Sequence, residues 1–416
     1  MNMKRLAGFL LFSIMLTGTA LSQESPVMVG DISVSGDDYR IYRSDGTPSS
    51  LAEIRAALGD YDVVFVGELH NDPVSHAIEQ EVLRGWYAAH GSAAALSMEM
   101  FARDVQYIVD EYLGGFITEA HFQQASSPWS NYETDYKPLV EFARENDLAV
   151  IAANAPRRYA NMVTRFGRPA LGMLSDQAKS FVAPLPYGSA SARYTEQWNA
   201  VMAEAMASMT AEMEEANPAP EGEMDHAAMH EAHHGEGSEM EHGEMEHGEG
   251  EMDHAAMQEA HHGEGSEMEH GDMEHGDMEH GEMEHGEMEH GAGKEMPDDA
   301  DHQRATTAPA QPEHGGGSML DAQSLWDATM AWSIAEHLTK RPGSKVAHMV
   351  GGFHSETGTG TPEHLLRYRP GTSILIVSVQ SVEDPTAFDS EEHTGLGDFV
   401  VLGSASLPRT YETRER

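Results

Sequence analysis

The chain has 416 residues, with 70 acidic side chains against 25 Lys and Arg, a net charge of −45, 40% hydrophobic residues and no cysteine. The missing cysteine excludes a disulfide framework, a thiolate nucleophile and a Cys-type metal site, and so large an acidic excess argues against a nucleic-acid partner. The charge is uneven: between Glu212 and Gly316 there are 32 Asp or Glu against Lys294 and Arg304, with 16 of the 25 histidines, 13 of the 27 methionines, and no Val, Ile, Leu, Phe, Tyr or Trp.

At the start, Lys4 and Arg5 precede an apolar run from Leu6 to Leu21, and Ala20-Leu-Ser22 carries small residues at signal-peptidase spacing. Residues 1–22 therefore read as a secretory signal peptide, and the mature protein is expected in the periplasm or outside the cell. No later stretch approaches the length of apolar chain that spans a bilayer. The acidic segment, residues 212–316, has no side chains with which to bury a core, and it is read as a disordered insert. The residues on either side, 23–211 and 317–416, are the two parts of a single domain of roughly 290 residues.

Within the first part, Val27–Val34 and Tyr39–Tyr42 are expected to pair as a short hairpin, and Ser50 caps a helix through Leu58. Asp62-Val-Val-Phe-Val-Gly-Glu-Leu-His-Asn-Asp72 then runs from apolar, β-branched residues straight into Glu68, His70, Asn71 and Asp72. A buried parallel strand ends this way when its carboxyl edge opens into a site. Pro73 and the spacing of Ile78, Val82 and Trp86 complete a strand–turn–helix unit. Ala93–Met98 is a second strand, followed by helices over Asp104–Leu113 and Phe116–Gln124, a loop over Ser127–Glu133 and a helix over Tyr136–Glu145. Leu148–Ala152 is a third strand. A helix presenting Trp198, Val201, Met202, Ala205 and Met209 on one face leads into the insert, and another, Leu325–Leu338, follows it. Lys345–Val350, Ser373–Val379 and Phe399–Leu402 supply further strands. The alternation predicts an α/β fold with a largely parallel central sheet flanked by helices.

Four strands end in polar groups: Glu68 and His70, Glu99 and Arg103, Asn154 and Arg157, and His354. Any one of these is as readily a polar turn; together, on one edge of one sheet, they describe a site. Two carboxylates and two imidazoles suit a divalent metal or shared general-base work on water, with Arg103 or Arg157 against a developing anion. No Ser or Thr stands in a nucleophile elbow.

Gly67-Glu-Leu-His70 with Asn71-Asp72-Pro73 and His76, Glu99-Met-Phe-Ala-Arg103-Asp-Val-Gln106, Pro128-Trp-Ser-Asn-Tyr132 with Asp135-Tyr136, Ala153-Asn-Ala-Pro-Arg-Arg158, and the Gly-Gly-Phe before His354 together resemble the ChaN family of haem-binding uptake proteins. That family is similar to the Tiki and TraB proteases and the erythromycin esterases, whose shared signature is a pair of Gly-x-x-His motifs with a glutamate between. The matching residues are Gly67–His70, Glu99 and Gly351–His354. The resemblance implies haem binding linked to iron acquisition, with a dimer as one form. His70, His76, Tyr132, Tyr136 and Arg157 are the candidates for iron and propionates; for Tyr132 and Tyr136, packing beneath the loop is the plainer expectation. The superfamily signature equally suits a hydrolase using Glu68, His70, Glu99 and His354, so catalysis stays open. Many ChaN relatives carry a lipid on a cysteine absent here, which puts membrane anchoring in question.

The insert lies outside the family pattern. Glu223–Gly243 recurs as Glu251–Gly271 with His230 replaced by Gln258, and the pentapeptide (Glu/Asp)-Met-Glu-His-Gly occurs seven times between Glu239 and Gly291. Glycine at that frequency opposes a helix. The candidate metal ligands are His226, His233, His234 and His242, then His247, His254, His261 and His262, then His270, His275, His280, His285 and His290. Thioethers favour Cu(I), and imidazoles accept Cu(II), Zn or Ni, so copper or zinc sequestration is the function this segment suggests.

Overall fold

A computed structural model of the chain describes residues 25–216 and 318–411, with side chains left aside for residues 211–216. The signal peptide and all the insert histidines named above lie outside the described residues.

The elements in chain order are β1 (Val27–Val29), β2 (Ile32–Val34), β3 (Tyr39–Arg43), β4 (Pro48–Ser49), α1 (Leu51–Ala57), β5 (Val63–Glu68), α2 (Pro73–His90) and β6 (Ala94–Ala102). Then come α3 (Gln106–Leu113), α4 (Glu119–Ser126), a π-helical turn (Tyr132–Tyr136), α5 (Lys137–Glu145), β7 (Ala149–Asn154), α6 (Arg157–Phe166), α7 (Asp176–Lys179) and α8 (Ala192–Ala216). The second part supplies α9 (Met319–Lys340), β8 (Lys345–Gly351), α10 (Thr361–Tyr368), β9 (Ile374–Val382) and β10 (Phe399–Ser404).

Eight strands form one sheet in the order β4-β3-β10-β9-β5-β8-β6-β7. The six from β10 to β7 run parallel, and β3 and β4 are added antiparallel at one edge. β5 lies between β8 and β9, so its first site residue, Glu68, stands beside Gly351 in register. Strand alternation divides the core into two layers. Val64, Val66, Leu96 and Met98 face α2 and α5, packing with Ile78, Val82, Trp86 and Leu139. Val63, Phe65, Val346 and Val350 point the other way, onto Met330, Ile334 and Leu338 of α9. Because helices cover both faces, β5 is buried at every residue, which is why it reads as an unbroken apolar run.

The predicted hairpin is corrected. Val27–Val34 folds on itself as β1 and β2 around Gly30, whose φ of 55° suits glycine, while Tyr39–Arg43 joins the main sheet against β10. The Ile41 to Val401 pairing bridges almost the whole chain, so no local pattern announces it. The predicted Ser127–Glu133 loop likewise ends early, in the π-helical turn that carries Tyr132, Asp135 and Tyr136. The apolar face expected on α8 is engaged only near its start: Tyr194 and Trp198 pack on Phe353, whereas Val201 and Met209 are exposed. Among the described residues, no helix is long and apolar enough to cross a membrane.

Candidate functional site

The turn after β5 is fixed before any ligand chemistry is considered. Asp72 caps α2, accepting from Ser75 N at 2.9 Å, with Pro73 in the first turn. Arg409 Nη1 holds the second Asp72 oxygen at 2.7 Å, and Thr410 N donates to Asn71 O at 3.0 Å. The chain between β5 and α2 is thus tied down from both ends, and it presents His70 at the sheet edge.

His70 Nδ1 lies 2.7 Å from Glu68 Oε1, an oxygen that also accepts from Tyr136 OH at 2.9 Å. Burial pushes the His70 imidazolium down, but the Glu68 hydrogen bond and charge outweigh it and the pKa rises. Glu68 itself is fully buried; desolvation opposes its charge, yet the His70 hydrogen bond and the nearby His76 hold it down at about 2. The His70 ring keeps 38% of its side-chain surface, packs edge-on against Trp129 at 4.8 Å, and passes close over Gly351. A Cβ at Gly351 would meet His70 Cε1 at 3.0 Å, so glycine lets the ring approach without being displaced.

Across the edge, Glu99 Oε2 accepts from Gly351 N at 2.8 Å, and Glu99 Oε1 lies 3.8 Å from His354 Nε2. His354 Nδ1 is in turn 2.9 Å from Asp327 Oδ1, to which Thr361 also donates at 2.9 Å. Burial disfavours the imidazolium, but Asp327 first and Glu99 second hold the His354 pKa up at about 9. The result is two imidazole–carboxylate pairs, His70–Glu68 and His354–Asp327, converging on Glu99 between them. Such an arrangement orients both rings and fixes which nitrogen of each faces the site.

Of the residues singled out from the sequence, Glu68, His70, Glu99 and His354 come together. Arg103 does not join them: its guanidinium turns to α9, with Nη1 on Ser333 Oγ at 2.7 Å and Nη2 on Glu336 at 3.0 Å. Asn154 accepts from the neighbouring Ala155 N, and Arg157 is exposed at the start of α6 with no side-chain hydrogen bond among the described residues. His76, Tyr132 and Tyr136 are all buried. Tyr132 packs on Phe101 and Phe122, the core position considered for it, and Tyr136 and His76 sit beneath His70. Of the imidazole and phenol candidates for haem, only His70 reaches the surface.

Asp327 is not among the residues the sequence singles out. Its signal in the sequence is an acid alone in an otherwise small and apolar helix stretch, Leu325-Trp-Asp-Ala-Thr-Met-Ala331, where a buried carboxylate needs a partner. Glu79, beside His76, is equally unmarked in the sequence, and Asp135 stands in the Asp135-Tyr136 motif with no role of its own.

A family described as haem-binding uptake, Tiki superfamily, ChaN matches residues 54–365. No curated protein matches. Among solved structures, one described as cofacial heme binding to ChaN of Campylobacter jejuni is similar at 12% identity and a TM-score of 0.49, covering 88% of this chain and 98% of that one. With the family match running from α1 into α10 and so embracing every element of the site, the chain belongs to the ChaN haem-binding uptake family of the Tiki superfamily.

Proposed function

We propose that this chain is an exported haem-binding protein of the cell envelope serving iron or haem uptake, with His70 as its iron ligand. The observation that carries the residue assignment is His70 itself. It is a half-buried imidazole whose Nδ1 is held by Glu68, leaving Nε2 for a ligand, with the Trp129 ring alongside. An imidazole tied to a carboxylate is a strengthened iron ligand. The donor set therefore fits haem through His70, with exposed Arg157 available to a propionate. His76, Tyr132 and Tyr136 do not fit that role from their buried positions. Bound haem supplies an iron centre; the protein's part is to hold and orient it. Titrating the full chain with haem should give a saturable Soret shift that His70→Ala abolishes and Arg157→Ala weakens. Absence of any saturable shift would overturn the reading.

A second reading rests on a different observation, the two imidazole–carboxylate pairs facing Glu99. With the His354 imidazolium favoured, that geometry leaves Glu99 to act as general base on water and sets the two imidazoles against a developing anion. It is tested by screening esters and peptides; turnover unaffected by Glu68→Gln and His354→Ala would remove it.

For the insert we propose weak, multi-site capture of copper or zinc. Its support is compositional, the interleaving of histidine and methionine. Deleting residues 221–291 should remove most of the bound copper or zinc without changing the melting of the folded domain, and unchanged stoichiometry would refute it.

A further inference from the structure

Beneath His70 lies a second group of ligating side chains, in which Glu68 is joined by His76 and Glu79, two residues that neither the proposed haem contact nor the superfamily signature uses. His76 and Glu79 stand one turn apart on α2, and they meet Glu68 from the end of β5. One ligand atom from each of the three lies within 4.8 Å of the others, and all three residues are buried. His76 Nδ1 is 2.9 Å from Glu79 Oε2 and 3.3 Å from Glu68 Oε2. Separations of about 3 Å are also those between neighbouring ligands held at ~2.1 Å from one ion.

The surroundings resemble a metal site's supporting shell. A ligating histidine donates its other ring N–H to a carbonyl or carboxylate; His76 Nε2 lies 3.2 Å from His70 O and 3.3 Å from Asp135 Oδ2. Glu68 Oε1, the oxygen turned away from the group, is fixed by Tyr136 OH and His70, and Asp135 Oδ2 accepts from Asn131 and Thr410. Meanwhile Glu68 Oε2, Glu79 Oε1 and Asp135 Oδ1 are fully buried and accept no hydrogen bond. Three buried carboxylates thus surround His76, Glu68 being shared with His70, and Arg409 is spent on Asp72. Buried carboxylates with bare oxygens and so little positive charge are relieved by a proton or by a bound cation, and the ligand spacing here suits the cation.

We propose that Glu68, His76 and Glu79 form a buried divalent-cation site, supported by Asp135, beneath the His70 edge. Two carboxylates and one imidazole suit a hard-to-borderline ion of the manganese, iron(II) or zinc kind, not Cu(I). The ion would replace the His76 Nδ1 proton, lock the end of β5 to α2, and so stiffen the carboxylate that orients His70.

The test uses the full chain and Mn²⁺, the first-row divalent ion least favoured by ligands of the insert's kind. Wild-type and Glu79→Gln proteins are purified from manganese-supplemented and from metal-starved cells and dialysed against a chelator to clear the insert. Manganese content and thermal melting are then read. The wild type should retain one Mn²⁺ per chain and melt higher than its metal-starved counterpart, since an ion bound only to the folded state stabilises it. Glu79→Gln should retain less than about a tenth as much, with the same melting from both media. If Glu79→Gln does not fold, Glu79→Asp, which shortens the ligand arm, should show the same loss of retention. No retained ion in the wild type, equal retention in the Glu79 variants, or an ion lost on His354→Ala but kept in Glu79→Gln would each overturn the assignment.

Discussion

His354 and Asp327 are joined Nδ1 to Oδ1 at 2.9 Å, a histidine at the end of one strand and an aspartate in the middle of the helix that packs across it. Asp327 also accepts from Thr361 Oγ1, so one carboxylate ties α9 to α10 and to the site. Neither residue of the pair has a substantial path to water, which makes the pair's protonation a matter of stability as well as chemistry.

The folded pKa of His354, about 9, lies above the ordinary 6.5, despite burial, because Asp327 and Glu99 stabilise the imidazolium. Its contribution to stability is therefore fully present below about pH 6.5 and is lost as pH rises through about 9. A gap of this size corresponds to about 3 kcal/mol. Asp327→Asn should bring the His354 titration down by two units or more in an NMR pH series, to about 7 or below, and flatten the loss of stability between about pH 6.5 and 9 seen by chemical denaturation. An unmoved titration would show that Asp327 does not set the charge.

Glu68 and Glu79 should respond oppositely to the same change. Glu68 is held at about 2, burial being outweighed by His70 and His76, so its contribution is present above pH 4.5 and lost as pH falls through about 2. Glu79 is pushed well above 4.5, by burial first and by Glu68 second. In metal-starved protein Glu68→Gln is expected to destabilise by roughly 2–4 kcal/mol at pH 7, since it leaves His76 with less counter-charge. Glu79→Gln replaces an acid whose charged form burial and Glu68 already disfavour by its neutral isostere, and it should cost less than about 1 kcal/mol. Urea melts of the two variants in chelator decide it; equal losses would contradict this ordering.

Gly351 touches the His70 ring where any side chain would stand. A Cβ there meets Cε1 at 3.0 Å and Nε2 at 3.1 Å, so Gly351→Ala must displace the imidazole by a few tenths of an ångström. Stability should fall by about 1 kcal/mol or less, because the half-exposed ring has room to give. Haem affinity, measured by Soret titration, should drop about tenfold. Unchanged affinity would detach His70 from haem.

The C-terminal strap makes a separate prediction. Arg409→Ala removes the 2.7 Å contact to Asp72, whose carboxylate is buried and caps α2. A loss of roughly 2–3 kcal/mol is expected, with hydrogen exchange rising first at the start of α2. Loss without local exchange would place the effect elsewhere.

Much of this site was legible because parallel strands in α/β proteins announce themselves as apolar runs and stop in polar turns. Gly67-Glu-Leu-His70, Glu99 and Gly351–His354 could be assigned to one edge on that basis, and the fold class followed from the alternation of strands and helices. The β1–β2 turn is hidden in the sequence because Tyr39–Arg43 is as β-like as Val27–Val34, and strand propensity carries no information about partner. Arg103 follows Glu99 closely in sequence, which suggests the site, but the short turn after β6 swings it onto Ser333 and Glu336 instead.

Sequence by itself determined the domain's interruption by a segment that has no core-forming side chains, the parallel strands, and the residue types gathered at their ends. Tertiary structure alone decided that β5 lies between β8 and β9, that His354 answers to Asp327, and that His76 is buried among carboxylates and not offered to solvent. The reason is physical: periodicity reports which face of an element is apolar, while the partner of a buried charge is fixed by strand order and helix packing across hundreds of residues, and leaves no local mark.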